Sequence, residues 1–229
     1  TGIDIGTSQD GALMTDGHTL GVSITSASVI PSPGDWVGLE FGSKDLGSIL
    51  RGLDIGYGGT SSALIELSSA SISIFDSHVH HSETNGLWAS TYSFPLVQDS
   101  MFSDNYESGL DLHNSGLNDT YTDSFGAAEP SFQGNWLVDN FDYGIELPSQ
   151  YVGQLDPSSV IMDNDGIYID GWTSSKVETS ATWWAFDDPY VVGTDIDIEG
   201  PVGPVVTITD GVEMRFESNL EVNVGRNDD

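Results

Sequence analysis

The sequence predicts an all-β protein, a single-stranded right-handed parallel β-helix (β-solenoid) of about 8–10 coils, and three observations support this. A short strand-like segment returns about every 22 residues, apolar and polar residues alternate within each copy, and a helical i, i+3, i+4 apolar pattern is missing. A fixed period of this length is what one turn of a parallel solenoid requires, because each turn buries its apolar residues only against the next. The segments begin at Gly38, Leu64, Gly86, Gly109, Gly144 and Gly166.

The chain of 229 residues is long enough to bury a sizeable core, and we expect one β-helix domain over residues 1–229. Regular coils are expected over about 10–170, a less regular coil or linker over 171–204, and terminal strands over 205–225 that resemble the start of a next unit. In the less regular part, three tryptophans are expected to pack against the end of the β-helix: Trp172, Trp183 and Trp184.

The composition excludes several functions. There is no cysteine, which rules out a cysteine nucleophile and a cysteine-ligated zinc. The net charge of −31 repels phosphate backbones and anionic lipid, so nucleic acid is not an expected partner, and no apolar run is long enough for membrane insertion. The acidity has two interpretations that composition does not separate: a hydrated surface suited to salty water (a halophilic or marine source), or binding of divalent cations such as calcium.

The outward position of the repeated strand carries the candidate ligand-binding residues. The third residue of each segment is predicted to lie in one column, with successive members about 4.8 Å apart, the spacing of neighbouring strands. The column reads Glu40, Glu66, Trp88, Asp111, Glu146 and Tyr168.

Three functions fit this column. Paired carboxylates about 5 Å apart suit a retaining glycosidase, and exposed aromatic rings stack on sugars. A binding module would use the same side chains to hold calcium or a glycan. A structural stalk would expose them only as the solvated side of a sheet. Because like charges directly opposite are destabilising, the column favours cations or salt over a bare catalytic pair.

The histidines suggest a second candidate site. His78 and His80 lie on the same side of a predicted strand, with Glu83 close in sequence and His113 one coil later. Imidazole ligands at this spacing are compatible with a transition metal if a third ligand closes in. The alternative is a polar turn that leads into the next strand.

Two further features concern the turns. Asn105, Asn140 and Asn164 each follow an aspartate and precede a repeat glycine, so we expect a structural turn ladder in which they bond one another along the axis. The step from Gly109 to Gly144 is 35 residues, which predicts a polar loop inserted around residues 114–130, with Asp119, Asp123 and Glu129.

The two ends of the chain resemble each other. Residues 2–10 are similar to residues 220–228, and Gly6 aligns with Gly225. This likeness, and a start at Thr1, predict a mature or excised piece of a longer tandem array, or a module that stacks end to end on neighbouring copies.

Three segments resemble a known family. Residues 33–41 (PGDWVGLEF) with 55–59 (IGYGG), residues 206–216 (VTITDGVEMRF) and residues 189–192 (PYVV) are similar to segments of right-handed parallel β-helix repeat proteins of bacterial and archaeal surfaces, which share the pectate-lyase-like superfold. Asp210 stands where that family usually has proline, and Val37 where it often has glycine. The resemblance implies an extracellular or cell-surface location in a stalk or passenger region, and it supplies no catalytic residues to carry over to this chain.

The sequence therefore favours an extracellular structural or adhesin-like module of a larger surface protein, without enzymatic activity. The partner would be a polysaccharide or a neighbouring copy, and no cofactor is required, although calcium would suit the carboxylates. The alternative is a carbohydrate-active β-helix enzyme, a glycoside hydrolase that uses the paired acids.

Overall fold

Successive turns of the chain add parallel strands to the same sheets, and the result is a β-solenoid of about seven turns. The computed structural model describes residues 1–17, 21–117, 121–122, 128–171 and 175–225. The all-β, parallel-stacked fold predicted from the repeat is confirmed.

Sheet A is the longest sheet and carries the repeat segments. Its nine strands pair in parallel, each with the equivalent strand of the next turn. In spatial order they are β1 (Ile3–Ile5), β3 (Leu39–Phe41), β6 (Ala63–Ser68), β9 (Asn85–Ser90), β12 (Leu110–Asp111), β17 (Ile145–Pro148), β19 (Ile167–Asp170), β22 (Tyr190–Val192) and β25 (Met214–Phe216).

Two further sheets complete the central turns. After sheet A the chain enters sheet B, which contains β4 (Ile49–Arg51), β7 (Ser73–Phe75), β10 (Leu96–Gln98) and β15 (Phe132–Gln133). It then enters sheet C, which contains β2 (Val22–Ile24), β5 (Leu53–Gly56), β8 (His78–His80), β11 (Met101–Ser103), β16 (Trp136–Val138) and β18 (Val160–Met162).

The C-terminal turns form smaller parallel sheets beside sheet A. One contains β20 (Lys176–Val177), β23 (Ile196–Ile198) and β26 (Val222–Val224), and the other contains β21 (Ala181–Trp183) and β24 (Val206–Ile208). Sheet A has nine strands, but the solenoid has about seven turns, fewer than the expected 8–10 coils. Beyond sheet A, the first turn meets the next by isolated bridges at Gly11 and Met14 and by the pairing of β2 with β5. The last described strand is β26.

The core lies between the sheets and follows the predicted alternation. Ten apolar residues stand next to the acidic members of the column or to Tyr168, and each is at most 1% exposed: Leu39, Phe41, Ile65, Leu67, Leu110, Leu112, Ile145, Leu147, Ile167 and Ile169. The repeat glycines allow the turns to approach closely. A Cβ atom on Gly86 would lie 2.7 Å from the Gly109 carbonyl oxygen, and one on Gly109 would lie 2.7 Å from that of Gly144. Glycine at these positions is therefore required by the stacking itself.

The three asparagines of the expected turn ladder stack at the corner that leads into sheet A. The Asn105 Nδ2 donates to Asn140 Oδ1 at 2.8 Å, and the Asn140 Nδ2 donates to Asn164 Oδ1 at 3.0 Å. The preceding residues, Asp104, Asp139 and Asp163, have φ angles of 56°, 56° and 60°. Aspartate tolerates this left-handed conformation, so the Asp-Asn pair makes the turn and bonds it to the next one.

A second corner ladder, before sheet C, was not predicted. Each backbone N–H donates to a side-chain oxygen one turn further on: Ser77 N–H to Ser100 Oγ at 3.2 Å, Ser100 N–H to Asn135 Oδ1 at 3.1 Å, and Asn135 N–H to Ser159 Oγ at 3.1 Å. Serine is so common in this chain that its recurrence here gives no clear signal in the sequence.

Two segments depart from the parallel stack. The expected polar insertion contains an antiparallel pair, β13 (Tyr121–Thr122) and β14 (Ala128–Glu129); Asp119 and Asp123 lie outside the described residues. The expectation that helices are absent is wrong at one place, because a 3-10 helix spans Ser149–Gln154 where the preceding turn has β15 of sheet B. Its Tyr151 ring would lie 2.4 Å from a Cβ atom on Gly116, so this glycine admits the ring.

In the C-terminal turns, Trp183 is buried in the core and Trp184 is 37% exposed, whereas Trp172 lies outside the described residues.

The two similar ends of the chain have similar glycine conformations but different positions. Gly6 and Gly225 have φ angles of 62° and 64°, but Gly6 follows a strand of sheet A and Gly225 follows β26. The similar ends therefore occupy different sheets. In the described part of the chain, no helix has the length and hydropathy needed to cross a membrane.

We expect Asn140→Ala to lower the free energy of unfolding by about 2–4 kcal/mol, because it leaves buried partners in two neighbouring turns without their hydrogen bonds. Urea titration measures this loss. The matched control is Asn223→Ala, where the amide is half-exposed and bonds to Asp197 near the surface, with an expected change within about 0.5 kcal/mol. Equal losses in both variants would contradict a structural role for the ladder.

Candidate functional site

Sheet A places the predicted column in one continuous row. The strand register pairs Glu40 with Glu66, and Trp88 with both Glu66 and Asp111. It then pairs Glu146 with Asp111 and with Tyr168. The six residues named from the sequence are therefore neighbours in the order predicted. The row also continues beyond them, to Asp4 before Glu40 and to Val191 and Arg215 after Tyr168.

The first acidic pair lies towards the N-terminal end of the row. Glu40 is exposed, whereas Glu66 is half-buried. Burial raises the pKa of Glu66, and the neighbouring Glu40 carboxylate raises it further. Two carboxylates on adjacent strands with one of them partly removed from water are an unfavourable pair, which a bound cation would relieve.

The second acidic pair is more deeply placed. Burial raises the pKa of Asp111 to about 8, and the nearby carboxylates of Glu146, Asp170 and Glu107 add to this. Burial likewise raises the pKa of Glu146, although its Oε1 accepts a hydrogen bond of 2.5 Å from Ser108 Oγ. At neutral pH this pair therefore holds at least one proton, and a carboxyl group that keeps its proton both donates and accepts hydrogen bonds.

Two more carboxyl groups, those of Asp170 and Glu107, lie near Asp111 and Glu146 and were not predicted from the sequence. Asp170 is only 3% exposed and lies in β19, two residues after Tyr168, on the same side of the strand. Glu107 lies in the turn before β12. Asp170 could have been found by reading the column two residues further along each strand, whereas nothing in the local sequence identifies Glu107. We call Glu107, Asp111, Glu146 and Asp170 the carboxyl cluster.

Aromatic rings flank the carboxyl cluster on both sides. On one side the Trp88 and His113 rings lie 6.1 Å apart and are tilted by 31°. On the other side Tyr143 stacks on Tyr168, with ring centroids 4.7 Å apart. Trp88 and Tyr168 are three strands apart in sheet A, which corresponds to about 14 Å at about 4.8 Å per strand. The sheet therefore presents ring, carboxyl groups and ring in succession.

His113 and Glu83 do not join the other predicted metal ligands. Among the described residues, the side chains placed to share an ion are those of Asp54, His78 and His80, whose ligand atoms all lie within 4.8 Å of one another. His113 instead lies beside Trp88 on sheet A, and the Glu83 carboxylate lies against Gly34. The carboxylate that lies beside the histidine pair is that of Asp54, which is 24 residues upstream of His78, in the preceding turn, and was not predicted from the sequence.

No protein-family model, curated protein or solved structure matches the chain.

The protonated state of Asp111 predicts a dependence of stability on pH. The folded chain keeps this proton up to about pH 8, whereas the unfolded chain releases it near the ordinary value of 3.8. Between these values the folded state binds more protons, so this group makes stability fall as the pH rises. We expect Asp111→Asn to reduce that fall and to raise the melting temperature above pH 8 by several degrees, at about 2–4 °C per kcal/mol.

Thermal melts of both proteins between pH 4 and pH 9 measure this effect. Asp4→Asn, which removes an exposed acid from the same row, serves as the control and is expected to leave the difference between low and high pH unchanged. A pH profile of Asp111→Asn that is parallel to that of the unaltered protein would contradict the raised pKa.

Proposed function

We propose that this chain is a non-enzymatic structural or adhesive module of an extracellular surface protein, and that sheet A binds a polysaccharide. The observation that carries the proposal is the succession of Trp88 with His113, the carboxyl cluster, and Tyr143 with Tyr168 along one sheet. The proposal includes membership of the pectate-lyase-like type of β-helix. The sequence likeness of residues 33–41 and 206–216 to surface β-helix proteins supports that type and that location.

The aromatic pairs suit the flat faces of sugar rings. Trp88 and Tyr168 are both half-buried, so each exposes part of a ring while the rest is held by its neighbours. Rings that are held in place lose little freedom when a sugar stacks on them, and the carboxyl groups between them supply hydrogen-bond partners for hydroxyls. A straight row along a rigid sheet suits an extended chain of sugars.

The charge selects the kind of polysaccharide. A net charge of −31 repels a polyuronate or a sulfated chain. A neutral glycan avoids this repulsion, and its hydroxyls match a carboxyl group that carries a proton. We therefore propose a neutral, extended polysaccharide as the ligand.

We expect Trp88→Ala and Tyr168→Ala each to weaken binding of neutral polysaccharides by about tenfold, because loss of one stacked ring removes about 1.4 kcal/mol. Affinity electrophoresis against a panel of neutral and acidic polysaccharides measures this. Trp136→Ala is the matched control, since Trp136 is 51% exposed but lies on sheet C. Retardation by acidic glycans alone, or an equal effect of Trp136→Ala, would contradict the proposed surface.

A glycoside hydrolase is the second candidate, favoured by the adjacent Asp111 and Glu146. Asp111, with a pKa of about 8, would donate a proton to the leaving oxygen, and Glu146 would act as the second carboxyl group. Neighbouring strands set such groups about 5 Å apart, which suits a retaining mechanism. In the same binding experiments, release of reducing ends that Asp111→Asn or Glu146→Gln abolishes would establish this function instead.

Calcium is the cation that we propose for the Glu40–Glu66 pair. Because the ion would relieve repulsion between adjacent carboxylates, we expect millimolar calcium to raise the melting temperature more than sodium at equal ionic strength. Differential scanning calorimetry measures the difference, which should shrink in Glu66→Gln and persist in Asp187→Asn, a change to an exposed acid outside sheet A. Equal stabilisation by sodium would show that only screening is at work.

A further inference from the structure

We propose that Asp54, His78 and His80 on sheet C bind one transition-metal ion of the zinc class. The ladder between β5 and β8 pairs Asp54 with His78, and Gly56 with His80. The two histidines are two residues apart in one strand, so both project from the same side of the sheet, beside the aspartate of the preceding turn. This site is separate from sheet A and independent of the proposed glycan surface.

The distances suit a shared ion better than direct hydrogen bonds. Asp54 Oδ2 lies 3.7 Å from His78 Nδ1, and Asp54 Oδ1 lies 3.6 Å from His80 Nε2. Both separations are too long for a hydrogen bond. One ligand atom from each of the three residues lies within 4.8 Å of the others. Ligand atoms about 2.0–2.1 Å from one tetrahedral ion stand roughly 3.4 Å from each other. A small inward adjustment of these side chains would therefore bring all three ligand atoms onto one ion.

The remaining ring nitrogens are already engaged in the way that metal ligands usually are. His78 Nε2 lies 2.9 Å from Ser103 Oγ, and His80 Nδ1 lies 2.9 Å from His81 Nδ1. If the two histidines donate these bonds, the lone pairs of His78 Nδ1 and His80 Nε2 face the aspartate. Histidine ligands typically donate their other N–H to a second group, which fixes tautomer and orientation. In that tautomer two lone pairs and a carboxylate face one another, and a cation between them would relieve their repulsion.

Packing holds the rings in this arrangement. The His78 and His80 rings stack with centroids 4.5 Å apart, and Tyr57 contacts His80 edge-on at 5.4 Å. A Cβ atom on Gly56 would lie 2.4 Å from His80 Cε1, so glycine at this position is what makes room for the imidazole. Most of the cost of ordering the two histidine ligands is thus met before an ion binds.

The donor set indicates the class of ion. Two imidazoles and one carboxylate suit zinc, copper, nickel or cobalt, whereas calcium and magnesium prefer oxygen ligands alone. Three protein ligands leave a coordination position for water or a ligand. Asp54 and His78 also line a groove of about 510 Å³ on sheet C, together with Asp76, Asp99, Met101 and Trp136, and this groove gives the open position access to small ligands.

Isothermal titration with zinc, in excess calcium to occupy the carboxylates elsewhere on the surface, tests the proposal. We expect one ion per chain in the unaltered protein, and a loss of at least about 100-fold in affinity in His78→Ala and His80→Ala. Ser103→Ala should weaken binding by about 10–100-fold, because Ser103 only orients His78. His113→Ala is the matched control and should leave zinc affinity unchanged.

A second readout covers variants that fail to fold. Cobalt added to the unaltered protein should give the visible absorption band of a four-coordinate site, and zinc should displace it. Asp54→Asn, which keeps the side-chain shape, should weaken that band while the circular dichroism spectrum stays the same. The proposal would be overturned if zinc failed to bind in excess calcium. It would also be overturned if both histidine variants kept their zinc affinity, or if His113→Ala lost as much affinity as they do.

Discussion

The in-register backbone ladder between strands of successive turns is the interaction on which the rest of this molecule depends. It joins nine strands in sheet A and stacks equivalent residues of every turn at the same lateral position. Side chains alternate across a strand. A ladder that buries Leu39, Ile65 and Leu110 therefore also places the next residue of each strand in an outward row. The core and the candidate ligand surface are thus two sides of a single geometric constraint.

Stacking also concentrates charge. A repeat that aligns turns brings Glu40 beside Glu66, and Asp111 beside Glu146, although like charges on adjacent strands are unfavourable. The chain tolerates this because buried apolar residues and the corner ladders hold the turns together, and because a raised pKa lets Asp111 stay neutral at a cost in free energy. Arrangements that cost stability without a structural benefit are frequent at functional sites, which supports the proposal that this row binds a ligand.

The two candidate sites were predictable to different extents. The sheet A row followed from the repeat alone, since the third residue of each repeat segment identifies every member from Glu40 to Tyr168. The groups around the row, Glu107 and Tyr143, could not be predicted from the repeat. Glu107 lies in a turn, and the Tyr143 ring contacts Tyr168 from outside the strand. For the proposed metal site, the strand alternation placed His78 and His80 on the same side of their strand. The carboxylate beside them belongs to another turn, and sequence proximity favoured Glu83 over Asp54.

The sequence by itself determined the fold class, the register of sheet A, the inward residues and the corner asparagines, because all of these repeat with the period of the turn. Only the tertiary structure decided how deeply each acid is buried, which side chains approach from neighbouring sheets and turns, and where the 3-10 helix at Ser149–Gln154 replaces a strand. The reason is physical: a period specifies which residues are equivalent, whereas burial and pKa depend on three-dimensional surroundings that no single repeat contains.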